Sequence, residues 1–316
     1  MIQALVIFSV SLLALILASK YFTEAAERIG LSLNMSPFMV GVIIVAVGTS
    51  LPELISAIIA SFNNQSEIVV GNVLGANISN IFLITGITTI VAKKGIKLGK
   101  EYIFIDLHFM LGSATLLILF LLDGTLSRLE GILLLVGFCI YQVYLMRSEK
   151  PDEMPTLNDE AIVKNLDKLR LKDIVIVVLS AVAIFVSASY TVGSIEKIAM
   201  HLGVSQTIIG LTIMSMGTTL PELAVSISAA RSGHPEIAVG NILGSCIFNS
   251  FTVAGVAAIV RPIQSQEADT NTSIIFLIVA SVFFYLISQD KKVSRWEGML
   301  FLLFYVVFIL KVSGLL

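Results

Sequence analysis

Polar residues in this chain are gathered into short segments that separate ten long apolar stretches. These lie at 2–19, 37–62, 67–92, 102–122, 129–146, 173–192, 207–230, 236–260, 272–288 and 297–316. Each is near or above the length of about 20 residues that crosses about 30 Å of hydrocarbon as a helix. The pattern predicts ten transmembrane helices and an all-α integral membrane protein. Glycine and proline interrupt two of the stretches. Met1–Ser19 has no basic residue before its apolar run, and the first cation, Lys20, follows it. It is therefore expected to be a membrane span entering from outside rather than a cleaved leader.

The same pattern is written twice. Gly41–Ser56, GVIIVAVGTSLPELIS, aligns with Gly210–Val225, GLTIMSMGTTLPELAV, at an offset of 169 residues. The offset holds through Glu67–Asn80 and Glu236–Asn249, and SRLEG at 127–131 returns as SRWEG at 294–298. The expected organisation is a first five-helix repeat (1–146), a linker (147–172) and a second five-helix repeat (173–316). Five is odd, so the second repeat must cross the membrane inverted relative to the first. That is a symmetry suited to two states open to opposite sides. The linker, with its prolines and mixed charges, has room for a short amphipathic helix at 159–170 but not for a regulatory domain.

Composition and charge sharpen this picture. Hydrophobic residues are 56% and charged residues 13% of 316 positions. A soluble domain carries about a quarter charged residues, so the lipid bilayer is the expected solvent. The net charge of −2 comes with no basic arm, and no nucleic-acid partner is implied. With the N-terminus outside, sixteen of the twenty Lys and Arg residues fall on one side. The positive-inside rule makes that side cytoplasmic. The chain is thus expected to be a multi-pass cell-membrane protein with both termini extracellular and 147–172 cytoplasmic. Cys139 and Cys246 lie inside apolar spans and read as packing residues.

Glu53 and Glu222 carry the chemistry. Each sits inside an apolar span, where an unpartnered carboxylate costs at least several kcal/mol, and they occupy corresponding positions of the repeat. Two facing carboxylates repel and protonate unless a cation joins them; a pair of protonated glutamates hydrogen-bonded between helices is the alternative. Their surroundings, GTSLPE at 48–53 and GTTLPE at 217–222, favour a cation. Pro52 and Pro221 lack an N–H and clash with the carbonyl four residues back, so carbonyls at 46–49 and 215–218 are expected to turn into the protein. The hydroxyls of Thr49, Ser50, Thr218 and Thr219 lie three or four residues before each glutamate, on or near the same helical face. Carboxylates, carbonyls and hydroxyls make a hard-cation site of calcium or sodium type, with neither sulfur nor imidazole. In GNVLGANISN at 71–80 and GNILGSCIFN at 240–249, Gly71, Gly75, Gly240 and Gly244 read as close-packing positions. Asn72 and Asn241 read as helix cross-links, while Asn80, Asn249 and Ser245 can complete an ion shell. His108, His201 and His234 have no metal-ligand spacing.

These paired motifs resemble the two α-repeats of the cation/calcium antiporter superfamily, and nearly the whole chain is similar to compact prokaryotic sodium/calcium exchangers. The resemblance implies exchange of Ca2+ for Na+ by alternating access, with no resident cofactor and a monomer as the working unit. It implies that Glu53 and Glu222, with the main-chain carbonyls of Thr49 and Thr218, hold calcium. Flanking sodium sites would use Ser50 and the carbonyl of Ala46 on one side, and Thr219, Ser245 and the carbonyl of Ser215 on the other. Asn80 and Asn249 would face the centre, and the first and sixth spans would slide against the rest. Two positions depart from the pattern. Ala76 stands where the family often has Ser, removing one hydroxyl, and Asn249 stands where potassium-dependent relatives have Asp.

Three other functions meet the same residues less well. A proton/calcium antiporter needs no row of hydroxyls, and such relatives usually carry GN-A-x-E-type motifs that are missing here. A calcium channel needs a continuous path. No nucleophile–base pair suggests an enzyme.

Overall fold

The computed structural model describes the backbone of residues 2–33, 35–92, 95–97, 101–148, 170–202, 215–264 and 267–316; the side chains of 66–67, 97, 101–104, 148, 215–218 and 267–270 are outside that description. The short amphipathic helix expected in the linker at 159–170 therefore lies outside the described residues, apart from Arg170. The described residues form ten long helices. In chain order, α1 is Ile2–Ser32, α2 is Pro37–Phe62, and α3 runs from Ser66–Ser79 through Asn80–Ile84 to Thr85–Val91. Next come α4 (Glu101–Leu121), α5 (Arg128–Ser148), α6 (Leu171–His201) and α7 (Ser215–Arg231). The α8 helix runs from Pro235–Phe248 through Asn249–Val253 to Ala254–Val260, followed by α9 (Glu267–Ser288) and α10 (Arg295–Val312). By length and composition, α1, α2, α3, α5, α6, α8 and α9 each contain a stretch able to cross a membrane.

Helix bounds repeat as the sequence does. The bounds of α1 and α6, and of the three pieces of α3 and α8, differ by the same 169 residues that separate the sequence motifs. Helices α1 and α6 are 31 residues each, longer than the apolar stretches 2–19 and 173–192. The extra turns of α1 carry polar residues, one of which pairs with α6: Arg28 Nε donates to Asp173 Oδ1 over 2.7 Å. Reciprocal capping boxes explain why SRLEG and SRWEG recur. Ser127 and Ser294 start α5 and α10, each exchanging hydrogen bonds with the glutamate three residues on.

The helices form an outer pair and an inner group. Helix α1 packs along α6 more extensively than along any other element, and Thr191 Oγ1 donates to Ser11 Oγ between them. Both leave large apolar side chains exposed, among them Val10, Leu13, Val178 and Leu179, as a hydrocarbon solvent permits. Most of α3 and α8 is buried, so these two are the centre of the bundle.

Glycine sets the inner distances. A β-carbon added at Gly41 of α2 would come to 2.3 Å from the Ile237 carbonyl oxygen, and one at Gly240 of α8 to 2.2 Å from that of Phe38. The backbones of α2 and α8 therefore touch. A second kind of crossing occurs twice: Gly86 of α3 meets Gly298 of α10, and Gly255 of α8 meets Gly131 of α5. In each, a helix of one half packs against the last helix of the other half.

Among the described residues, four two-residue strands close the helix ends. Strand β1 (Ile96–Lys97) pairs antiparallel with β4 (Lys292–Val293), and β2 (Thr125–Leu126) with β3 (Ile263–Gln264). β1 and β2 flank α4 at its two ends.

Candidate ion-binding site

Helix α2 brings the first motif to the centre. It stays helical through Pro52, so the proline does not end the helix; the irregularity falls about two turns earlier, in a π-helical segment at Val40–Val45. The wider π-turn shifts the hydrogen-bond register ahead of the motif. Similarly, α7 remains helical through Pro221. Two further π-helical segments, Asn80–Ile84 and Asn249–Val253, begin at the two motif asparagines. No sequence rule for glycine, proline or capping marks them, which is why the sequence did not predict them.

Glu53 on α2 and Glu222 on α7 are each only 1% exposed, and the two carboxyl groups lie within electrostatic reach of one another. Neither forms an ion pair with Lys, Arg or His among the described residues. Ser50 Oγ lies 3.2 Å from Glu222 Oε1 and 3.1 Å from Ser245 Oγ of α8. Thr49 Oγ1 lies 3.1 Å from the Val45 carbonyl oxygen, 3.2 Å from Asn241 Oδ1 and 3.4 Å from the Ala46 carbonyl oxygen. Thr219 is buried beside Glu222 in sequence. Ser215 and Thr218 are helical in α7, but their side chains are outside the described residues.

Several buried oxygens here have no hydrogen-bond partner among the described residues: Glu53 Oε1 and Oε2, Glu222 Oε2, Asn80 Oδ1 and Asn249 Oδ1. An orphaned buried acceptor costs about 1–3 kcal/mol, more when charged. Such a concentration of hard oxygens is chemically suited to a cation. Among the described residues no three His, Cys, Asp or Glu side chains gather as a metal site, so a cation here needs the hydroxyl, carbonyl and amide oxygens as well.

Asn241, expected as a helix cross-link, ties α8 to two other motif-bearing helices: its Nδ2 donates to the Glu222 carbonyl over 3.3 Å and to Ser226 Oγ over 2.9 Å, both on α7, while its Oδ1 faces Thr49 of α2. Two features exceed the sequence reading. Ser226, four residues after Glu222, carried no motif signal. Asn77 Nδ2 donates to Ser250 Oγ over 2.7 Å, joining α3 to α8. The positions one repeat away are Cys246 and Ile81, so this bond has no mirror image.

The sodium/calcium exchanger protein family matches residues 3–147 and again 172–313. This chain belongs to that family. It is 33% identical to the sodium/calcium exchanger MaX1 of Methanosarcina acetivorans, over 96% of each chain. It is also 33% identical to the putative antiporter CaxA of Alkalimonas amylolytica, over 97% of each. Among solved structures, the sodium-calcium exchanger NCX_Mj superposes with a TM-score of 0.82 at 28% identity, covering 98% of each chain. Family and fold make the chain a multi-pass membrane transporter of the sodium/calcium exchanger type rather than an enzyme, with Na+ and Ca2+ as the substrates the family implies.

Proposed function

We propose that the protein exchanges Ca2+ for Na+ by alternating access, with Glu53 and Glu222 forming the calcium site at the middle of the membrane. The observation that carries this reading is the pair of buried, unpaired carboxyl groups, facing each other across the two halves among oxygens without partners. One Ca2+ or two Na+ neutralises two carboxylates; a third Na+ leaves the site at +1. A neutral loaded site crosses an apolar barrier at far lower cost than a charged one. Thr49 and Thr218, through their carbonyls, complete the calcium shell. Ser50 and the Ala46 carbonyl on one side, and Thr219 and the Ser215 carbonyl on the other, serve sodium; Ser245, expected on the Thr219 side, lies 3.1 Å from Ser50 Oγ and serves sodium with it. Asn80 and Asn249 face the centre.

All ten helices span the bilayer, as two inverted repeats at 1–146 and 173–316. The strand pairs support the inversion: repeat symmetry carries β1 to β3 and β4 to β2, so it exchanges the two strand pairs, while α4 separates β1 from β2 by the length of a span. The pairs Arg28–Asp173 and Glu27–His234 join segments assigned to one and the same side, which agrees with a cytoplasmic linker at 147–172 and both termini outside. The α1–α6 pair slides against the rest, a monomer sufficing for transport.

The test is radiolabelled calcium uptake into proteoliposomes driven separately by sodium and proton gradients. Sodium-driven uptake is expected, and Glu53→Gln is expected to abolish it while leaving the protein folded. Uptake that follows only the proton gradient assigns protons as the counter-ion; unchanged uptake by Glu53→Gln sinks the glutamate site.

A further inference from the structure

We infer that Asn241 is a positioning residue that turns the Ser245 and Ser50 hydroxyls so that their oxygens face sodium, and that only the second half of the chain possesses this device. The inference rests on the exchange reading above, in which these hydroxyls serve sodium.

Every hydrogen-bonding position of the Asn241 amide is engaged. The Glu222 carbonyl, 3.3 Å away, can only accept, so Nδ2 must face it; the second Nδ2 hydrogen goes to Ser226 Oγ at 2.9 Å. This fixes Oδ1 toward Thr49 Oγ1 at 3.2 Å and Ser245 Oγ at 3.5 Å. The amide cannot turn over without placing its oxygen against a carbonyl oxygen.

A hydroxyl has one hydrogen, and it binds a cation through its oxygen only when that hydrogen points elsewhere. Ser50 stands between two acceptors, Glu222 Oε1 and Ser245 Oγ. When Ser50 donates to Glu222, it occupies an oxygen that a cation needs. When Ser50 donates to Ser245, Ser245 must pass its own hydrogen on, and Asn241 Oδ1 receives it. Only this second arrangement leaves Glu222 Oε1 bare and presents hydroxyl oxygens to an ion. The chain has to end on an acceptor that holds no hydrogen, and Asn241 Oδ1 is that end.

The first half cannot build the same chain. At the 169-residue offset Asn241 corresponds to Asn72, Ser245 to Ala76 and Ser226 to Ala57. Both serines are replaced by alanine together, and Asn72 Nδ2 is buried with no partner among the described residues.

The full-length protein in proteoliposomes provides the test, by measuring the sodium half-saturation of sodium-driven calcium efflux and the calcium half-saturation of calcium/calcium exchange. Asn241→Ala is expected to raise the sodium value about three- to tenfold relative to the calcium value, the effect of losing one net hydrogen bond. Ser226→Ala, which removes only the anchor of Nδ2, is expected to move that ratio in the same direction by less, and it carries the test if Asn241→Ala fails to fold. Asn72→Ala is expected to shift the ratio less than Asn241→Ala. Equal changes in both half-saturations, or equal shifts from Asn72→Ala and Asn241→Ala, overturn the inference. Wild-type vesicles without sodium-driven exchange overturn the exchange reading instead, a result independent of any ratio between variants.

Discussion

Ser50 Oγ on α2 lies 3.2 Å from Oε1 of Glu222 on α7, so a hydroxyl from the first half of the chain meets the buried carboxyl group of the second. The site is thereby shared: each motif brings its own glutamate, and the first also supplies a neighbour to the glutamate of the second. On the exchange proposed above, such a site couples the two halves directly, because a cation binding Glu222 displaces or reorients the Ser50 hydroxyl of the other half. The close backbone crossing of α2 and α8 at Gly41 and Gly240 holds Ser50 and Ser245 near enough for this contact. Packing and chemistry are therefore one design.

Removing that hydroxyl tests the sharing. Ser50→Ala leaves Glu222 Oε1 without its donor and, on the exchange proposed above, the sodium shell without an oxygen. We expect sodium half-saturation to rise about tenfold, the scale of one hydrogen bond to a charged group, and Ser50→Thr to restore much of it. Sodium titration of calcium exchange in proteoliposomes measures both. A wild-type response from Ser50→Ala places the Ser50 hydroxyl outside the ion shell.

The glycine crossings yield a stability prediction. Gly41→Ala drives a methyl group to 2.3 Å from the Ile237 carbonyl oxygen, so backbone must move, at a cost of about 1–3 kcal/mol or more. Gly112→Ala in α4 meets nothing within 4 Å, and alanine is the better helix former by about 1 kcal/mol. Thermal unfolding in detergent is expected to show a lower midpoint for Gly41→Ala and an equal or higher one for Gly112→Ala.

Sequence reasoning reached the fold class and the central residues for identifiable reasons. Hydrocarbon-length apolar blocks leave little choice of architecture, and a doubled motif points to its own buried charges. It named Ser50, Glu222 and Ser245 but set Ser50 and Ser245 on opposite sides, whereas their hydroxyls lie 3.1 Å apart. It did not place the π-helical segments at Asn80 and Asn249, which arise from tertiary packing and carry no local residue code. Nor did it find Ser226 or the Asn77–Ser250 bond, because both depend on which helix faces which. The crossings at Gly86–Gly298 and Gly131–Gly255 escaped for the same reason: glycine spacing marks a close approach but not its partner. The proline expectation was half legible, since the missing N–H is certain while the helix geometry around it is set by neighbours.

A buried polar pair outside the ion site has its own consequence. Tyr141 of α5 donates to Asp106 Oδ1 of α4 over 2.6 Å, both residues being 1% exposed. Tyr141→Phe leaves the carboxyl group without this donor and is expected to cost about 1–3 kcal/mol. Adding Asp106→Leu removes the orphaned group and is expected to recover much of that loss, since deleting both partners costs less than deleting one. Unfolding midpoints of the two variants decide the matter; a double variant less stable than Tyr141→Phe contradicts it.

The contact of Glu27 in α1 with His234, between α7 and α8, predicts a pH dependence. Their side chains meet at 3.0 Å. The hydrogen bond to Glu27 raises the His234 pKa above 6.5, helped by the charges of Glu27 and Glu236 and opposed by partial burial. Arg28 nearby is taken up by Asp173. Because the folded value is raised, the contact contributes fully below about pH 6.5 and is lost as pH rises through the raised value. One repeat away the pair becomes Glu196 and Gln65, which cannot form a charged contact, so acid tightens α1 to the inner helices on one side only. If α1 moves during exchange, acidification should slow the direction that breaks this contact. A half-exposed pair contributes at most about 1 kcal/mol, or about fivefold in rate. We expect His234→Gln to remove that portion of the acid slowing between pH 8 and pH 6 and to leave exchange at pH 8 near wild type. Superimposable pH–rate profiles for wild type and His234→Gln would show that the contact does not bear on transport.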